Sequence, residues 1–343
     1  MPRPVDQITI ADAELAPFVS GKGLASKAQG LWQQQKGVWE MLRTGSETLQ
    51  SIRTKVFDFG GVQIKVQFNP GRLISTSAKV DAASIKERKC FLCSNNLPAA
   101  QRGILCDGEY LVLCNPFPIF PEHFTIPSLH HTPQLICDSF ASLLYLTREM
   151  GTRYVLLYNG PRCGASAPDH LHFQAGTRSC LPIDNEYEGL RQRSGDRLAQ
   201  HGSLSIYTME DGLRRFFSLE SPDPDLLQQA FGTLYEALQD GTPAAEEPML
   251  NILGFYTNAG WRIHVFPRSR HRPSFYFKEG EDKLLISPAA VELGGLCTTP
   301  REQDFERVTQ HHLREMYHEV GVSAERFARI KNRLASRLAP RWR

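Results

Sequence analysis

The sequence predicts an α+β protein built as two related halves, each with a mainly antiparallel sheet packed by helices. A chain of 343 residues is too long for one typical hydrophobic core, so two domains or one duplicated fold are expected. Strands, then a helix, then strands follow one another in both halves, although no sequence repeat is evident. We expect domains at residues 1–200 and 201–343, divided near a polar, loop-like stretch at residues 176–202.

Composition and charge exclude several classes of protein. Hydrophobic residues make up 41% and charged residues 22% of the chain, as in ordinary globular proteins. The net charge of +2 offers no electrostatic argument for nucleic acid binding. No apolar run is long enough to span a membrane, and the N-terminus lacks a signal-peptide pattern. Eight cysteines are too few for a disulfide scaffold, so we expect a cytoplasmic protein.

The first half is predicted to begin with helices and to continue with strands. Residues 10–55 have helical character, and residues 56–68 alternate Val, Phe and Ile around a Gly-Gly turn, which predicts a hairpin. Further strands are expected at residues 110–113, 124–126 and 154–158, with a buried helix at residues 135–150. The Asn-Gly-Pro turn after the last of these strands leads to the most informative segment of the chain.

The second half contains a predicted helix, a strand pair and a basic C-terminal helix. We expect the helix at residues 223–239, and the strands at residues 250–256 and 261–266. The C-terminal helix carries seven Arg and Lys residues and no acid from residue 326 onward. We interpret it as a solvated basic face, with a dimer contact or a phosphate-attracting rim as alternatives. Its apolar stripe consists of Phe327, Ile330, Leu334 and Leu338.

Residues 164–174 place two histidines and a glutamine at alternate positions behind a turn of small residues. If residues 170–174 form a strand, its period of two puts His170, His172 and Gln174 on one face and Leu171 and Phe173 in the core. An imidazole on a pocket wall can attack phosphorus and carry a nucleotidyl group covalently. The alternative is an amphipathic edge strand whose histidines face solvent.

A second group of residues, made of cysteines and histidines, has the residue types of a metal site. Cys90 and Cys93 form a C-x-x-C pair, whose thiolates can chelate one tetrahedral Zn²⁺. His130 or His131, together with His170, could complete four ligands. The alternatives are a redox dithiol or two unrelated buried cysteines. The Ser-Asn-Asn-Leu-Pro segment that follows does not support a redox helix.

Phosphoryl chemistry also needs cationic and N–H donors around the transferred group. Arg72 and the Gly164-Ala165-Ser166 turn are candidates, and a dense basic cluster follows the last predicted strand. Guanidinium groups match phosphate oxygens, although each arginine could equally form a surface ion pair. The candidate substrate-binding residues are Arg72, Asn159, Gly164, Arg268 and His271.

These residues resemble the transferase branch of the histidine-triad superfamily. That branch includes galactose-1-phosphate uridylyltransferase, diadenosine tetraphosphate phosphorylase and GDP-hexose phosphorylases, and it has His-x-His-x-Gln where the hydrolase branch has a third histidine. The resemblance is specific from about Asn69 to Gly176 and weak in the second half. It rests on four segments: residues 164–174, the pair Cys90 and Cys93, the proline-rich turn at residues 115–124 and, faintly, residues 286–295.

The resemblance implies a ping-pong nucleotidyl transfer. His172 would be the nucleophile, Gln174 would hydrogen-bond the transferred phosphate, and Ser166 with Gly164 would hold other phosphate oxygens. Structural zinc would be bound by Cys90, Cys93, His130 and His170, with His130 chosen from the Ile-Pro-x-x-His register. Asp169 departs from the uridylyltransferase pattern, and that family's second metal site cannot be located. The resemblance also suggests a homodimer, and the apolar stripe offers a surface for it.

We therefore predict an enzyme that transfers a nucleoside monophosphate from a nucleoside-diphosphate sugar or a dinucleoside polyphosphate. The acceptor would be phosphate or a sugar 1-phosphate. One alternative is a histidine-triad hydrolase that uses water as acceptor, and another is a zinc-stabilised nucleotide-binding protein without catalysis. A nucleic-acid module using the basic tail is disfavoured, because the chain as a whole is nearly neutral.

Overall fold

Two β-sheets form the centre of the protein. The computed structural model describes residues 3–76, 81–243 and 246–341, and within these ranges it contains thirteen strands. In chain order they are β1 (Arg53–Asp58), β2 (Gln63–Phe68), β3 (Ile104–Cys106), β4 (Tyr110–Cys114), β5 (His123–Pro127), β6 (Tyr154–Asn159), β7 (His172–Thr177), β8 (Gly195–His201), β9 (Leu204–Glu210), β10 (Arg215–Ser221), β11 (Leu250–Thr257), β12 (Gly260–Pro267) and β13 (Leu296–Thr299).

Helices surround the sheets on both faces. Among the described residues they are α1 (Val5–Ile8), α2 (Asp12–Leu15), α3 (Gly23–Val38), α4 (Glu40–Gln50), α5 (Leu73–Thr76), α6 (Ala82–Glu87), α7 (Phe140–Glu149), α8 (Pro182–Ser194), α9 (Pro224–Leu238), α10 (Ala290–Leu293), α11 (Glu302–Arg307), α12 (Gln310–Val320) and α13 (Ala324–Arg341). None of the helices in these ranges combines the length and apolar character that crossing a membrane requires.

The larger sheet repeats one topology in each half of the chain. Its ten described strands lie in the order β3-β4-β5-β7-β6-β11-β12-β10-β9-β8. In the first half the strands lie in the order β4-β5-β7-β6, and α7 connects β5 to β6 along the chain. In the second half the strands lie in the equivalent order β9-β10-β12-β11, and α9 connects β10 to β11. The predicted α+β class with two related, mainly antiparallel halves is therefore confirmed.

The two halves meet in the middle of this sheet, where β6 and β11 pair antiparallel. Asn159 lies opposite Asn251 in that pairing, and Leu157 lies opposite Leu253. The predicted boundary at residues 200–201 falls at the end of β8, and the sheet itself runs across both halves. The division into domains at that point stays a prediction.

Alternate strand residues point into two separate cores on the opposite faces of the large sheet. In β6, Leu156 and Tyr158 pack on one face with α3, α7, α9 and α13, because side chains in a strand alternate direction. Val155 and Leu157 pack on the other face, against α8, α12 and the small sheet of β1, β2 and β13. The protein is thus built in layers, and the candidate site lies on the second of these faces.

The stretch at residues 176–202, which the sequence analysis interprets as a loop, contains a helix and a strand. Helix α8 begins with Pro182 in its first turn, where the missing N–H of proline costs no hydrogen bond. Ile183, Tyr187 and Leu190 form its buried stripe. Strand β8 follows directly and pairs with β9. The loop prediction was wrong because the many polar residues on the exposed side of α8 make its apolar periodicity difficult to recognise in the sequence.

The apolar stripe of the C-terminal helix packs inside its own chain. Phe327, Ile330, Leu334 and Leu338 are each 4% exposed or less and belong to the core shared with α9. Several of the basic residues form ion pairs, including Arg337 with Glu236 and Lys331 with Asp196. The stripe is therefore not available as the dimer surface that the sequence analysis suggested.

Candidate active site and metal centre

The histidine strand β7 begins two residues later than predicted, at His172. Phe173 and Ala175 pack into the core, while His172 and Gln174 point to the opposite face of the sheet. His170 lies in the preceding turn, where its N–H bonds to the carbonyl of Ala167. The predicted alternation therefore holds for His172 and Gln174, and the turn directs His170 toward the two cysteines instead.

The imidazole of His172 is held with one nitrogen free to react. Its Nδ1 lies 2.8 Å from the carbonyl oxygen of His170, and because a carbonyl can only accept, Nδ1 must carry the proton. The lone pair is then on Nε2. Burial lowers the pKa of His172 to about 4, so the ring is neutral at neutral pH. A neutral imidazole with a defined Nε2 lone pair is the form that acts as a nucleophile.

Gln134, which the sequence analysis did not identify, holds the start of β7 in place. Its Oε1 accepts from the backbone N–H of His172 at 2.8 Å. Its Nε2 donates to the carbonyl oxygens of His172 and Asn159, both at 2.9 Å. The side chain is fully buried, so these bonds do not compete with water. No local pattern marks such a residue, because its partners lie far along the chain.

His123 fixes the orientation of the Gln174 amide. The Ile119 N–H donates to Nδ1 of His123 at 3.2 Å, and burial, with the nearby charge of Arg72, lowers the pKa of His123 to about 3. The ring is therefore neutral, and its proton is on Nε2, 3.0 Å from Oε1 of Gln174. Since Oε1 accepts the hydrogen bond from this N–H, the amide nitrogen of Gln174 is left to donate into the site.

Two cavities meet at these residues. The large cavity, of about 600 Å³, is lined by His172 and has a mainly apolar surface, to which Trp39, Phe91, Leu97 and Phe117 contribute. The polar cavity, of about 50 Å³, is lined mostly by polar groups from both halves of the chain. Arg72, Ser166 and Gln174 line both cavities and mark where they join.

The polar cavity brings together most of the predicted phosphate-binding residues. Arg72, Asn159, Gly164, Ser166, Gln174 and His271 line it, as does Arg272 from the predicted basic cluster. Ser287, Glu292 and Thr298, which were not predicted as ligands, line it too. Gly164 has a φ of 96°, and a Cβ there would lie 2.6 Å from the Cβ of Ala289. Glycine therefore allows the turn to approach the segment from the second half that closes the cavity.

Arg268 has a structural position instead of the predicted one at the substrate. It is 1% exposed and does not line either cavity. Its guanidinium donates to Oδ1 of Asn251 at 2.5 Å and to backbone carbonyl oxygens, including those of Pro288 and His271. Arg268 thus supports the loop that carries His271. These bonds stabilise the buried position of the side chain, because they supply donors to carbonyl groups that would otherwise be buried without partners.

Four side chains form a cluster with the donors of a metal site. The ligand atoms of Cys90, Cys93, His131 and His170 all lie within 4.8 Å of one another. Sγ of Cys90 is 3.3 Å from Nδ1 of His170, and Sγ of Cys93 is 3.2 Å from Nδ1 of His131. Two thiolates and two imidazoles are the donor set of tetrahedral structural zinc sites, so the residues fit that metal.

The fourth member of the cluster is His131, where the sequence analysis predicted His130. After β5 ends at Pro127, the backbone N–H of His130 donates to the Ser128 hydroxyl, and the N–H of Thr132 donates to the His130 carbonyl. This turn places the next side chain, that of His131, over the cysteines. Such a one-residue shift depends on turn geometry that the Ile-Pro-x-x-His register does not specify.

Comparisons with known proteins agree with this architecture. Residues 31–177 match the model of a domain of unknown function, DUF4922, and residues 198–340 match the model of a GDPGP1-like C-terminal domain. No curated protein matches the chain significantly. The crystal structure of yeast Ap4A phosphorylase Apa2 with AMP is similar, with a TM-score of 0.56 and 18% identity over 85% of this chain and 97% of that one. The complex of Apa2 with Ap4A has a TM-score of 0.53, with 17% identity over 83% of this chain and 97% of that one.

The likeness to Ap4A phosphorylase shows that the chain has a histidine-triad-like fold, and the His-x-His-x-Gln segment lies at the start of β7 in that fold. Within it, the second half of the chain is similar to the C-terminal domain of GDPGP1-like proteins.

Proposed function

We propose that the protein is a nucleotidyltransferase or phosphorylase that works through a covalent nucleotidyl-His172 intermediate. The observation that carries the proposal is the unprotonated Nε2 of a neutral His172 on the wall of the large cavity, two residues before Gln174, which marks where that cavity joins the polar one. The donor would be a nucleoside-diphosphate sugar or a dinucleoside polyphosphate, and the acceptor phosphate or a sugar 1-phosphate. The structural likeness to an Ap4A phosphorylase and the GDPGP1-like C-terminal domain support this class of reaction.

In the first step, Nε2 of His172 attacks the α-phosphorus of the donor. A P–N bond forms, the bond from phosphorus to the bridging oxygen breaks, and the leaving phosphate keeps that electron pair. The proton on Nδ1 stays on the ring, where the His170 carbonyl stabilises the positive charge that the imidazole acquires. In the second step an oxygen of the acceptor attacks the same phosphorus, the P–N bond breaks, and neutral His172 is restored.

Different parts of the substrate would occupy the two cavities. The nucleoside fits the large cavity, because aromatic and aliphatic walls suit a flat base. The phosphates lie at the junction, where Arg72, Ser166 and the amide nitrogen of Gln174 can donate to their oxygens. The leaving group or acceptor enters the polar cavity with His271 and Arg272. Catalysis in this scheme consists mostly of positioning and electrostatic stabilisation.

Zinc is proposed as a structural ion held by Cys90, Cys93, His131 and His170. When bound, it would cross-link the cysteine loop to the turn before β7 and take no part in group transfer. Because the backbone carbonyl of His170 fixes the tautomer of His172, an ordered His170 also keeps the nucleophile in its reactive form.

The covalent step is tested by intact-mass measurement after brief incubation with nucleoside-diphosphate sugars and dinucleoside polyphosphates. We expect an added nucleoside monophosphate, which identifies the base, and its removal when phosphate or a sugar 1-phosphate is added. Loss of the adduct in water alone, unaffected by phosphate, would indicate the hydrolase alternative. Ligand-dependent stabilisation with neither adduct nor turnover would indicate a binding protein and contradict the proposal.

The orientation of Gln174 by His123 gives a further prediction. Gln174→Leu should lower kcat by about 10²-fold, because it removes a donor to the transferred phosphoryl group. His123→Leu should lower kcat by about tenfold in the wild-type background and have little effect beside Gln174→Leu. His264→Leu, which removes an equally buried histidine from the second half, is the matched control. Equal effects of His123→Leu in both backgrounds would show that it does not act through Gln174.

A further inference from the structure

Asp169, the residue that departs from the uridylyltransferase pattern, forms a partly buried ion pair with Arg88. Nη2 of Arg88 lies 2.5 Å from Oδ1 of Asp169, and the two side chains are 23% and 21% exposed. Residues this shielded from water interact more strongly than a typical surface pair, whose contribution is small. The pair joins segments 81 residues apart in the chain and lies beside the cysteine loop.

The other oxygen of Asp169 faces a residue of the metal cluster. Its Oδ2 lies 3.6 Å from Nε2 of His131, whose Nδ1 is 3.2 Å from Sγ of Cys93. The carboxylate and the cluster therefore lie on opposite sides of one imidazole. A histidine that ligates a metal through Nδ1 carries its proton on Nε2, and a carboxylate there fixes both the tautomer and the ring orientation.

The two histidines of the cluster differ in what restrains them. His170 is 1% exposed, and its Nε2 bonds to the carbonyl of Ser128 at 2.8 Å, so packing and backbone both hold it. The His131 side chain is 46% exposed, so packing holds its ring only weakly. The described neighbour facing its Nε2 is Asp169. The orientation of the His131 ring therefore depends on the Asp169 carboxylate, whereas packing and the Ser128 carbonyl already orient the ring of His170.

We propose that Asp169 and Arg88 are positioning residues of the metal centre, with Asp169 orienting His131 and Arg88 holding Asp169. Arg88 also lines the large cavity, where its guanidinium lies over the ring of Phe91 at 5.4 Å. The ion pair thus connects the metal centre to the wall of the proposed nucleoside cavity. The inference rests on the metal binding put forward under the proposed function.

The rate of zinc release from the purified protein to a chromogenic chelator tests the role of Asp169 without measuring activity. Asp169→Asn should release zinc about 10- to 100-fold faster, because Arg88 and His131 face different oxygens of the carboxylate, and the NH2 group that replaces one of these oxygens cannot accept a hydrogen bond. Arg88→Gln should change the rate in the same direction, by less, and Asp169→Glu should restore part of the loss. Glu14→Gln, which removes the carboxylate partner of Arg102 at an exposed site, should leave the rate unchanged.

Thermal unfolding of each variant separates loss of fold from loss of metal. If Asp169→Asn keeps the wild-type melting temperature and the wild-type release rate, the positioning role is overturned while the metal proposal stands. If the wild-type protein contains no zinc and takes up none, both are overturned. If Asp169→Glu releases zinc as fast as Asp169→Asn, the carboxylate is not the group that matters, and the inference fails.

Discussion

Replacing His172 with alanine is expected to abolish turnover and the covalent adduct while leaving the protein folded. We expect kcat to fall by about 10⁴-fold or more, because nothing replaces the nucleophile and direct attack by the acceptor lacks the same activation. The melting temperature should change little, since Gln134 holds the strand through its backbone and not through the imidazole. Nucleotide binding should survive, because the walls of the large cavity are unchanged.

The measurements are steady-state turnover, intact mass and nucleotide affinity on the same preparation. His318→Ala is the matched control, since it removes an exposed histidine on α12 that lines neither cavity. A His172→Ala protein with wild-type turnover would contradict the covalent mechanism directly. Loss of binding together with loss of turnover would instead assign His172 to substrate recognition.

Removal of the proposed zinc is expected to have the second large effect, mainly on stability. The cysteine loop and the turn before β7 are joined at the cluster of Cys90, Cys93, His131 and His170, so an empty site would leave two buried or half-buried thiols beside two imidazoles. We expect Cys90→Ser to eliminate bound zinc and to lower the free energy of unfolding by about 4 kcal/mol or more. Activity should fall as well, since His170 supports His172.

The contrast between His131→Ala and His130→Ala makes this prediction specific. Elemental analysis should find one zinc per chain in the wild type and in His130→Ala, and none in His131→Ala or Cys90→Ser. A strong chelator should lower the melting temperature of the wild type and leave that of Cys90→Ser unchanged. Retention of zinc by His131→Ala would contradict the ligand set seen in the structure, and loss from His130→Ala would favour the ligand that the sequence motif suggests.

Sequence patterns were most informative where local periodicity and burial coincide. The strands at residues 154–158, 250–256 and 261–266 are confirmed, because continuous apolar runs bounded by turns leave little choice of structure. The helix at residues 223–239 is also confirmed, since Asp223 caps a regular apolar stripe. Helix α8 was missed because an isolated stripe of three residues among charged neighbours gives too weak a signal.

The site residues likewise divide into those that the sequence predicted and those that only the structure identified. Cys90, Cys93 and His170 share one cluster, as expected, because the C-x-x-C spacing indicates a metal-binding pair and the family resemblance adds His170 to it. The sequence analysis assigned no role to His123 or Gln134, since each acts through partners distant in the chain. Arg268 had the residue type of a phosphate ligand, yet burial and five carbonyl and amide oxygens within hydrogen-bonding distance of its guanidinium give it a structural role.

By itself, the sequence determined the α+β class, the duplicated order of strands and helices, and the chemical character of the His-x-His-x-Gln segment. These properties follow from short-range periodicity and from side-chain chemistry, which are present in the chain before it folds. The tertiary structure decided which histidine meets the cysteines, which way Gln174 donates, and that the second half closes the polar cavity. Those outcomes depend on hydrogen bonds and contacts between segments far apart in the chain, and the geometry of such contacts exists only once the sheet has formed.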